Sequence, residues 1–362
     1  MGNVRALVTG GAGFIGSHIV DALLARGDHV CVIDSLDARV HSDVPPNFSD
    51  GVGFVRADIC SSSVLSNTLS RGVDVVFHEA AMVGLGKGGA DAEEYVTTNV
   101  IGTSRLMRAI ADLPRQSRPR VVLASTMAIY GEGAYICRAC RKPRGGTRNA
   151  TDLERSQWEP RCDVCNQPLE PQAVTEDHPP HPGTVYAISK LGQEYLCMTL
   201  GRETDVSVIA LRYHNVYGPR MPRNTPYAGV ASIFKSRLLA GLPPLVYEDG
   251  NQLRDFIHVT DIAQANLLVA DASPSEVAFQ AYNVGTGRPH RILDFAQELA
   301  KTLAPSLAPQ LPGSFRLGDA RHIFADTSKI ARLGFRPSVS FEDGVSQFAK
   351  EPTRASPQVV FS

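Results

Sequence analysis

Residues 5–16 read RALVTGGAGFIG. The first half is a short apolar run that stops on glycines. A stretch with apolar residues at helical spacing follows at once, FIGSHIVDALLARG (14–27), and Gly27 suits its stop. Gly10, Gly13 and Gly16 therefore stand between a strand and a helix. Glycines in that place permit a tight turn, let backbone approach a pyrophosphate, and let the helix pack closely on the strand. The helix N-terminus then favours the negative charge.

The same alternation continues outward. HVCVID (29–34), GFVRADI (53–59), VDVVFHEAA (73–81), RVVLAST (120–126) and VSVIALRY (206–213) read as strands. EEYVTTNVIGTSRLMRAIADL (93–113) and GTVYAISKLGQEYLCMTLGRE (183–203) read as long helices. Near-continuously apolar strands alternating with helices predict an α/β fold, a doubly wound parallel sheet covered on both faces. A chain of 362 residues exceeds what one small core serves, so a smaller second lobe is expected. The predicted division is 1–133 with 173–218 for the dinucleotide-binding (Rossmann) domain, 134–172 for an insertion, 219–350 mainly for a substrate lobe, and 351–362 for a tail.

Asp34 ends the second predicted strand, 18 residues after Gly16. A carboxylate there accepts hydrogen bonds from ribose hydroxyls and repels a 2′-phosphate, which favours NAD over NADP. Asp58, after the third strand, suits either the adenine edge or a helix cap. Tyr186 and Lys190 stand four apart on a predicted helix, hence on one face. A neighbouring ammonium favours phenolate and lowers a phenol pKa that starts near ~10. With the Thr126 hydroxyl at the tip of the preceding strand, they make a proton relay fit for oxidising a carbinol beside a nicotinamide.

Net charge is −1, which argues against a nucleic-acid or anionic-membrane binder. No apolar run is long enough to span a bilayer, and because a first strand is read from Arg5 no signal peptide is expected. A cytosolic, reducing location is expected. Seven cysteines are present; Cys31, Cys60 and Cys197 are expected as small buried hydrophobes. The other four, Cys137, Cys140, Cys162 and Cys165, form C-x2-C-x21-C-x2-C. That spacing predicts a closed, structural tetrahedral zinc site in a ribbon too small to have much core of its own. The basic cluster Arg138, Arg141, Lys142, Arg144 and Arg148 in the same segment reads as a solvated loop, as do His178 and His181 further on.

The motifs TGGAGFIGSH, HEAA, TNVIGT, STMAIYG, YAISK, LRYHNVYGPR, RDFIHVTDIA, YNVGTG and LGDARHIFADTSKIARLGFRP occur in this order. Over about residues 5–348 the chain resembles the extended short-chain dehydrogenase/reductases of the nucleotide-sugar epimerase and dehydratase group. The resemblance implies Thr126, Tyr186 and Lys190 as the catalytic set, with Asn99 positioning the lysine or its water. It implies a tightly bound, recycled NAD held by Gly10, Gly13, Phe14, Ile15, Gly16, Asp34, Asp58, Ile59, Ala80, Ala81, Asn99, Tyr186 and Lys190. It also implies a nucleotide-sugar substrate met by Val83, Thr126, Asn215, Arg254 and Arg321. Arginine forks suit the diphosphate.

The dehydratases of the group carry Asp-Glu directly after the catalytic Thr; Met127 and Ala128 stand there here, which disfavours elimination of water. His214 takes a place where relatives usually have an aromatic. Relatives with a cysteine-rich insertion at this place include a dTDP-L-rhamnose 4-epimerase-like branch, echoed by TPYAGVASIF (225–234). The expected activity is epimerisation of a nucleotide-activated hexose at C4. The alternatives are a dehydrogenase or reductase of the same fold, or a nucleotide-sensing binding protein. The insertion is expected as a flap beside the active site, touching the sugar, the base or a neighbouring subunit. A homodimer through 93–113 and 184–203 is expected, with no nucleic-acid or membrane partner.

Overall fold

The computed structural model describes residues 3–39, 41, 48, 51–83, 88–222 and 229–351. Seven strands form the central sheet: β1 (Arg5–Thr9), β2 (His29–Asp34), β3 (Gly53–Arg56), β4 (Val75–His78), β5 (Arg120–Thr126), β6 (Val208–Tyr213) and β7 (Gln280–Val284). Their order is β3-β2-β1-β4-β5-β6-β7, all parallel. The order reverses between β1 and β4, the place where open α/β sheets bind ligands.

Successive residues of a strand serve opposite faces, and both faces here are dry. Leu7 belongs to one core, with Ile59, Leu106 and Leu123. Val8 belongs to the other, with Ile19, Phe77 and Ile262. Helices α1 (Phe14–Ala25) and Val259–Asp271 cover the Val8 face, while Ser62–Leu69, Gly102–Ala111 and α4 (Val185–Thr204) cover the Leu7 face; we number α2 for Ser62–Leu69 and α3 for Gly102–Ala111.

Three expectations are revised. The helix expected over 93–113 begins as α-helix at Ala92–Tyr95, runs as π-helix through Val96–Ile101, and resumes as α3. Such π turns recur at functional sites. This one contains Asn99, whose amide is tied to the Met82 backbone rather than left on the helix surface. Residues 219–350 are split: Val259–Asp271 and β7 return to the main sheet. The smaller lobe is built on Val230–Leu239, Ile292–Leu303 and Phe341–Lys350 around Phe234, Phe256, Phe295 and Phe348. Of the three scattered cysteines, Cys197 is buried and Cys31 and Cys60 are partly so.

The insertion has its own small sheet. Ala134–Cys137 pairs antiparallel with Lys142–Arg144 and with Glu170–Gln172. Its core is Tyr135, Cys137, Cys162 and Leu169. No helix among the described residues is long and apolar enough to cross a membrane. Residues 225–228 of TPYAGVASIF and residues 352–362 of the tail lie outside the described residues.

Candidate active site

The glycine turn follows β1. Gly10 has φ of 69°, and a Cβ there would lie 2.7 Å from the Ala80 amide nitrogen. A Cβ on Gly16 would lie 2.3 Å from the Gly10 carbonyl oxygen. A Cβ on Gly13 would lie 3.0 Å from that same oxygen, and Gly13 N–H donates to it. Gly13 is the N-cap of α1 and has no side chain to cap it, so the first amides of α1, those of Phe14 and Ile15 among them, are left for a ligand. The Phe14 side chain turns away to pack on the smaller lobe's core.

Asp34 is buried at the end of β2. Its carboxylate accepts from Ala12 N–H at 3.0 Å and Leu36 N–H at 2.9 Å. Those bonds hold a carboxylate beside the glycine turn, as a ribose diol requires. Asp58 is exposed and accepts from Cys60 N–H at 2.7 Å, one residue before the Ser61 N-cap of α2, so it supports that turn. Ile59 packs under Gly102. Ala80 and Ala81 follow β4 and are partly buried; Ala80 N–H faces the Thr9 hydroxyl. Val83 is 43% exposed. The turn and Asp34 together fit a dinucleotide, and NAD is the cofactor they suit.

Thr126 ends β5 and caps the short 3-10 helix Met127–Tyr130, its hydroxyl accepting from Ala128 N–H. Thr184 caps α4 in the same manner and starts the helix that carries Tyr186 and Lys190. The structure brings all three together. The Thr126 hydroxyl lies close enough to the Tyr186 phenol to act on its titration, and Lys190 Nζ donates to the Ala124 carbonyl at 2.6 Å, two residues before Thr126.

Lys190 does not lower the phenol pKa as expected. Burial pushes Tyr186 up from its ordinary value, and the nearby Thr126 hydroxyl pulls it back in part. Burial also holds the Lys190 ammonium down to about 8, against the pull of Glu79 and Glu194. Nor does Asn99 contact the lysine. Its amide holds Met82 N–H and carbonyl at 2.8 and 3.0 Å and donates to the Ser189 hydroxyl at 2.9 Å.

Lys190 is held by residues that sequence reasoning passed over. Nζ donates to Gln193 Oε1, Gln193 Nε2 donates to the Thr103 hydroxyl, and His78 Nε2 meets that same hydroxyl at 2.8 Å. Burial and then Lys190 hold His78 down to about 3, so it is a neutral link. Gln193 was legible in YAISKLGQ, three residues beyond Lys190 and so on its face. Glu79 is pushed up to about 7 by burial, against the Tyr213 hydroxyl that donates to it at 2.9 Å and against Lys190.

On the substrate side, Arg254 sits on the small strand Leu253–Arg254. It donates to the carbonyls of Leu253, Ala320 and Arg321. Asn215 Oδ1 and both ring nitrogens of His214 are buried with no partner among the described residues. Burial holds His214 down to about 4, a neutral imidazole. Arg321 corrects the sequence reading. It is 1% exposed and caged by Glu159, Glu248 and Asp249, so no fork is left for a diphosphate. Arg316 is exposed, lies 5.5 Å over the Tyr247 ring, and stands within electrostatic reach of Asp319.

The four paired cysteines converge. Their sulfurs lie within 4.8 Å of one another, with Cys137–Cys165 at 3.4 Å and Cys140–Cys162 at 3.9 Å. Ligands ~2.3 Å from a tetrahedral zinc would stand ~3.8 Å apart, so the set fits such an ion. His178 and His181 stay outside it, beside Tyr130 and Ile129. Arg138 pairs with Glu170 and Arg141 and Lys142 are exposed, but Arg148 is buried against Glu248, not solvated.

A profile of the NAD dependent epimerase/dehydratase family matches residues 6–150 and 163–285, more than half of the chain. A dTDP-L-rhamnose 4-epimerase from Burkholderia thailandensis is 34% identical over 349 residues, covering 95% of this chain and 93% of that protein. The structure of Thermus thermophilus UDP-glucose 4-epimerase in complex with NAD aligns with a TM-score of 0.71 at 31% identity, over 95% of this chain and 97% of that one. Bacillus cereus UDP-glucuronic acid 4-epimerase, in complex with UDP-glucuronic acid and NAD, gives 0.77 at 27%, over 95% and 98%. The glycine turn, the buried Asp34 and the Thr126–Tyr186–Lys190 cluster agree with these likenesses: the chain belongs to the NAD dependent epimerase/dehydratase family.

Proposed function

We propose that this protein epimerises C4 of a nucleotide-activated hexose, of the dTDP type, and recycles its NAD. The observation that carries the reading is a Thr126–Tyr186–Lys190 set in which Met127 and Ala128 stand where dehydratases of the group carry Asp-Glu. Thr126 and Tyr186 face each other, and the two places after Thr126 hold Met127 and Ala128, which can neither protonate a leaving hydroxyl nor abstract a carbon-bound proton. The dTDP assignment is supported by the Burkholderia relative and by the insertion.

NAD, held by the glycine turn and Asp34, would supply a hydride acceptor and donor. The chain supplies the rest. Tyr186 takes the C4 hydroxyl proton and gives it back, while the Thr126 hydroxyl bonds the same sugar oxygen. The buried Lys190 ammonium is fixed by the Ala124 carbonyl and Gln193 one helical turn beyond Tyr186. Arg254 takes the diphosphate, and the unpaired polar atoms of Asn215 and His214 are available to the sugar. Cys137, Cys140, Cys162 and Cys165 would hold one structural zinc ion, which would supply folding energy to the ribbon.

Exposed Val96 and Ile101 on the 92–111 helix, with Ile188 and Tyr195 on α4, support a homodimer through these two helices. A thiolate site suits a reducing compartment, and we place the protein in the cytosol.

Replacing Tyr186 with Phe tests the chemistry. Turnover of the nucleotide sugar should fall at least a thousandfold with NAD still bound. Turnover within tenfold of the native rate would refute Tyr186 as the proton carrier.

A further inference from the structure

The insertion meets the smaller lobe through charge. Its Arg148 side chain is 3% exposed and donates to Glu248 Oε1 at 2.7 Å and to the Asp319 carbonyl. Its Glu159 takes Arg321 on Oε1, at 2.6 and 3.0 Å, and His322 Nε2 on Oε2 at 2.8 Å. Glu248 Oε2 closes the ring by accepting from Arg321 at 2.8 Å. Buried ions are costly unless each charge is met, and here each is met from across the boundary.

Glu248 pays for its place with backbone conformation. Its φ of 54° lies in the left-handed region, where glycine would be more comfortable. Strain of that kind persists where the surroundings demand a particular side chain. The side chain demanded is a carboxylate that accepts from the guanidinium of the insertion's Arg148 and from that of the lobe's Arg321.

The far end of this network is Arg254. Its strand pairs with His322–Ile323, and three of its donors rest on the Leu253, Ala320 and Arg321 carbonyls. A guanidinium has about five N–H donors. Nε and one Nη2 hydrogen, one edge of the fork, are thus left without a protein acceptor among the described residues.

We propose that the insertion is a strap that aims Arg254: Arg148 and Glu159 are positioning residues that fix the Ala320 and Arg321 carbonyls, and through them the fork that takes the substrate's diphosphate. This rests on the reading of Arg254 as the diphosphate ligand.

The test is calorimetric titration of dTDP into the NAD-loaded protein, with steady-state kinetics alongside. Glu159→Gln keeps the side chain's shape and lies at a 40% exposed site, so it should fold. A paired Arg148→Met/Glu248→Gln variant removes two opposite charges together and cuts the strap a second way. Each should weaken dTDP and raise KM about tenfold, with kcat at saturation and bound NAD within twofold. Arg254→Ala should weaken dTDP more, and adding Glu159→Gln to it should cost nothing further, because the strap acts through Arg254.

Equal losses from Glu159→Gln with and without Arg254 would overturn the proposal, as would native affinity in both strap variants. Native affinity in Arg254→Ala would overturn the diphosphate reading beneath it. No binding of dTDP to the native protein would overturn the dTDP assignment.

Discussion

Glu79 gives the sharpest quantitative prediction. It follows β4, is partly buried, and accepts from the Tyr213 hydroxyl, while Lys190 lies within electrostatic reach. Burial raises it from an ordinary 4.5 to about 7. A carboxyl raised in this way stabilises the fold fully below pH 4.5, and that contribution is lost as pH rises through 7. By linkage the full swing is about 3 kcal/mol, most of it expressed between pH 5 and pH 8. Glu79→Gln keeps an acceptor for Tyr213 and does not titrate. Its stability relative to native should therefore improve by about 2 to 3 kcal/mol on going from pH 5 to pH 8. Urea unfolding at the two pH values, followed by far-ultraviolet circular dichroism, measures this difference. Trp158 is the only tryptophan and lies in the insertion, so its fluorescence would report the wrong part of the molecule. A stability difference that is the same at both pH values, within about 0.5 kcal/mol, would refute the burial argument.

Four further results are expected. Gly16→Ala, whose Cβ would sit 2.3 Å from the Gly10 carbonyl oxygen, should cost at least tenfold in NAD content, measured on acid-released nucleotide. Turnover should hold below pH 8 and fall above it as Lys190 loses its proton, a limb that a pH–rate profile reads directly. Elemental analysis should find one zinc per chain, lost in Cys162→Ser, with a shift in Trp158 fluorescence while the sheet's circular dichroism stays. Ile188→Glu, at a position 57% exposed on α4, should move the protein from dimer to monomer in sedimentation.

The local parts of the site were legible because their chemistry is local. The glycine turn needs glycine at spacings set by one strand and one helix, and Tyr186 with Lys190 needs only helical periodicity. The cysteine pairs are read in the same way, since two short hairpins fix each pair. What escaped is long-range. Arg321 reads as a phosphate ligand until Glu159, which is 162 residues away in sequence, and Glu248 are seen to cage it. Arg148 reads as a loop charge until Glu248 is placed against it. The Gln193–Thr103–His78 chain that holds Lys190 joins three elements, and no periodicity links them. The π-helical turn at Val96–Ile101 was hidden because its residues keep a helical pattern, while Asn99 finds its partners in Met82 and Ser189.

The central claim is that this chain inverts C4 of a nucleotide sugar and keeps its own NAD. It is tested most directly by incubating the purified protein with a nucleotide-sugar panel led by dTDP-L-rhamnose, with no NAD or NADH added, and following the sugars by NMR. The account predicts a C4 epimer that stops at an equilibrium mixture, with no free NADH. No product until NAD is supplied, followed by stoichiometric NADH and a keto-sugar, would contradict it and make the protein a dehydrogenase.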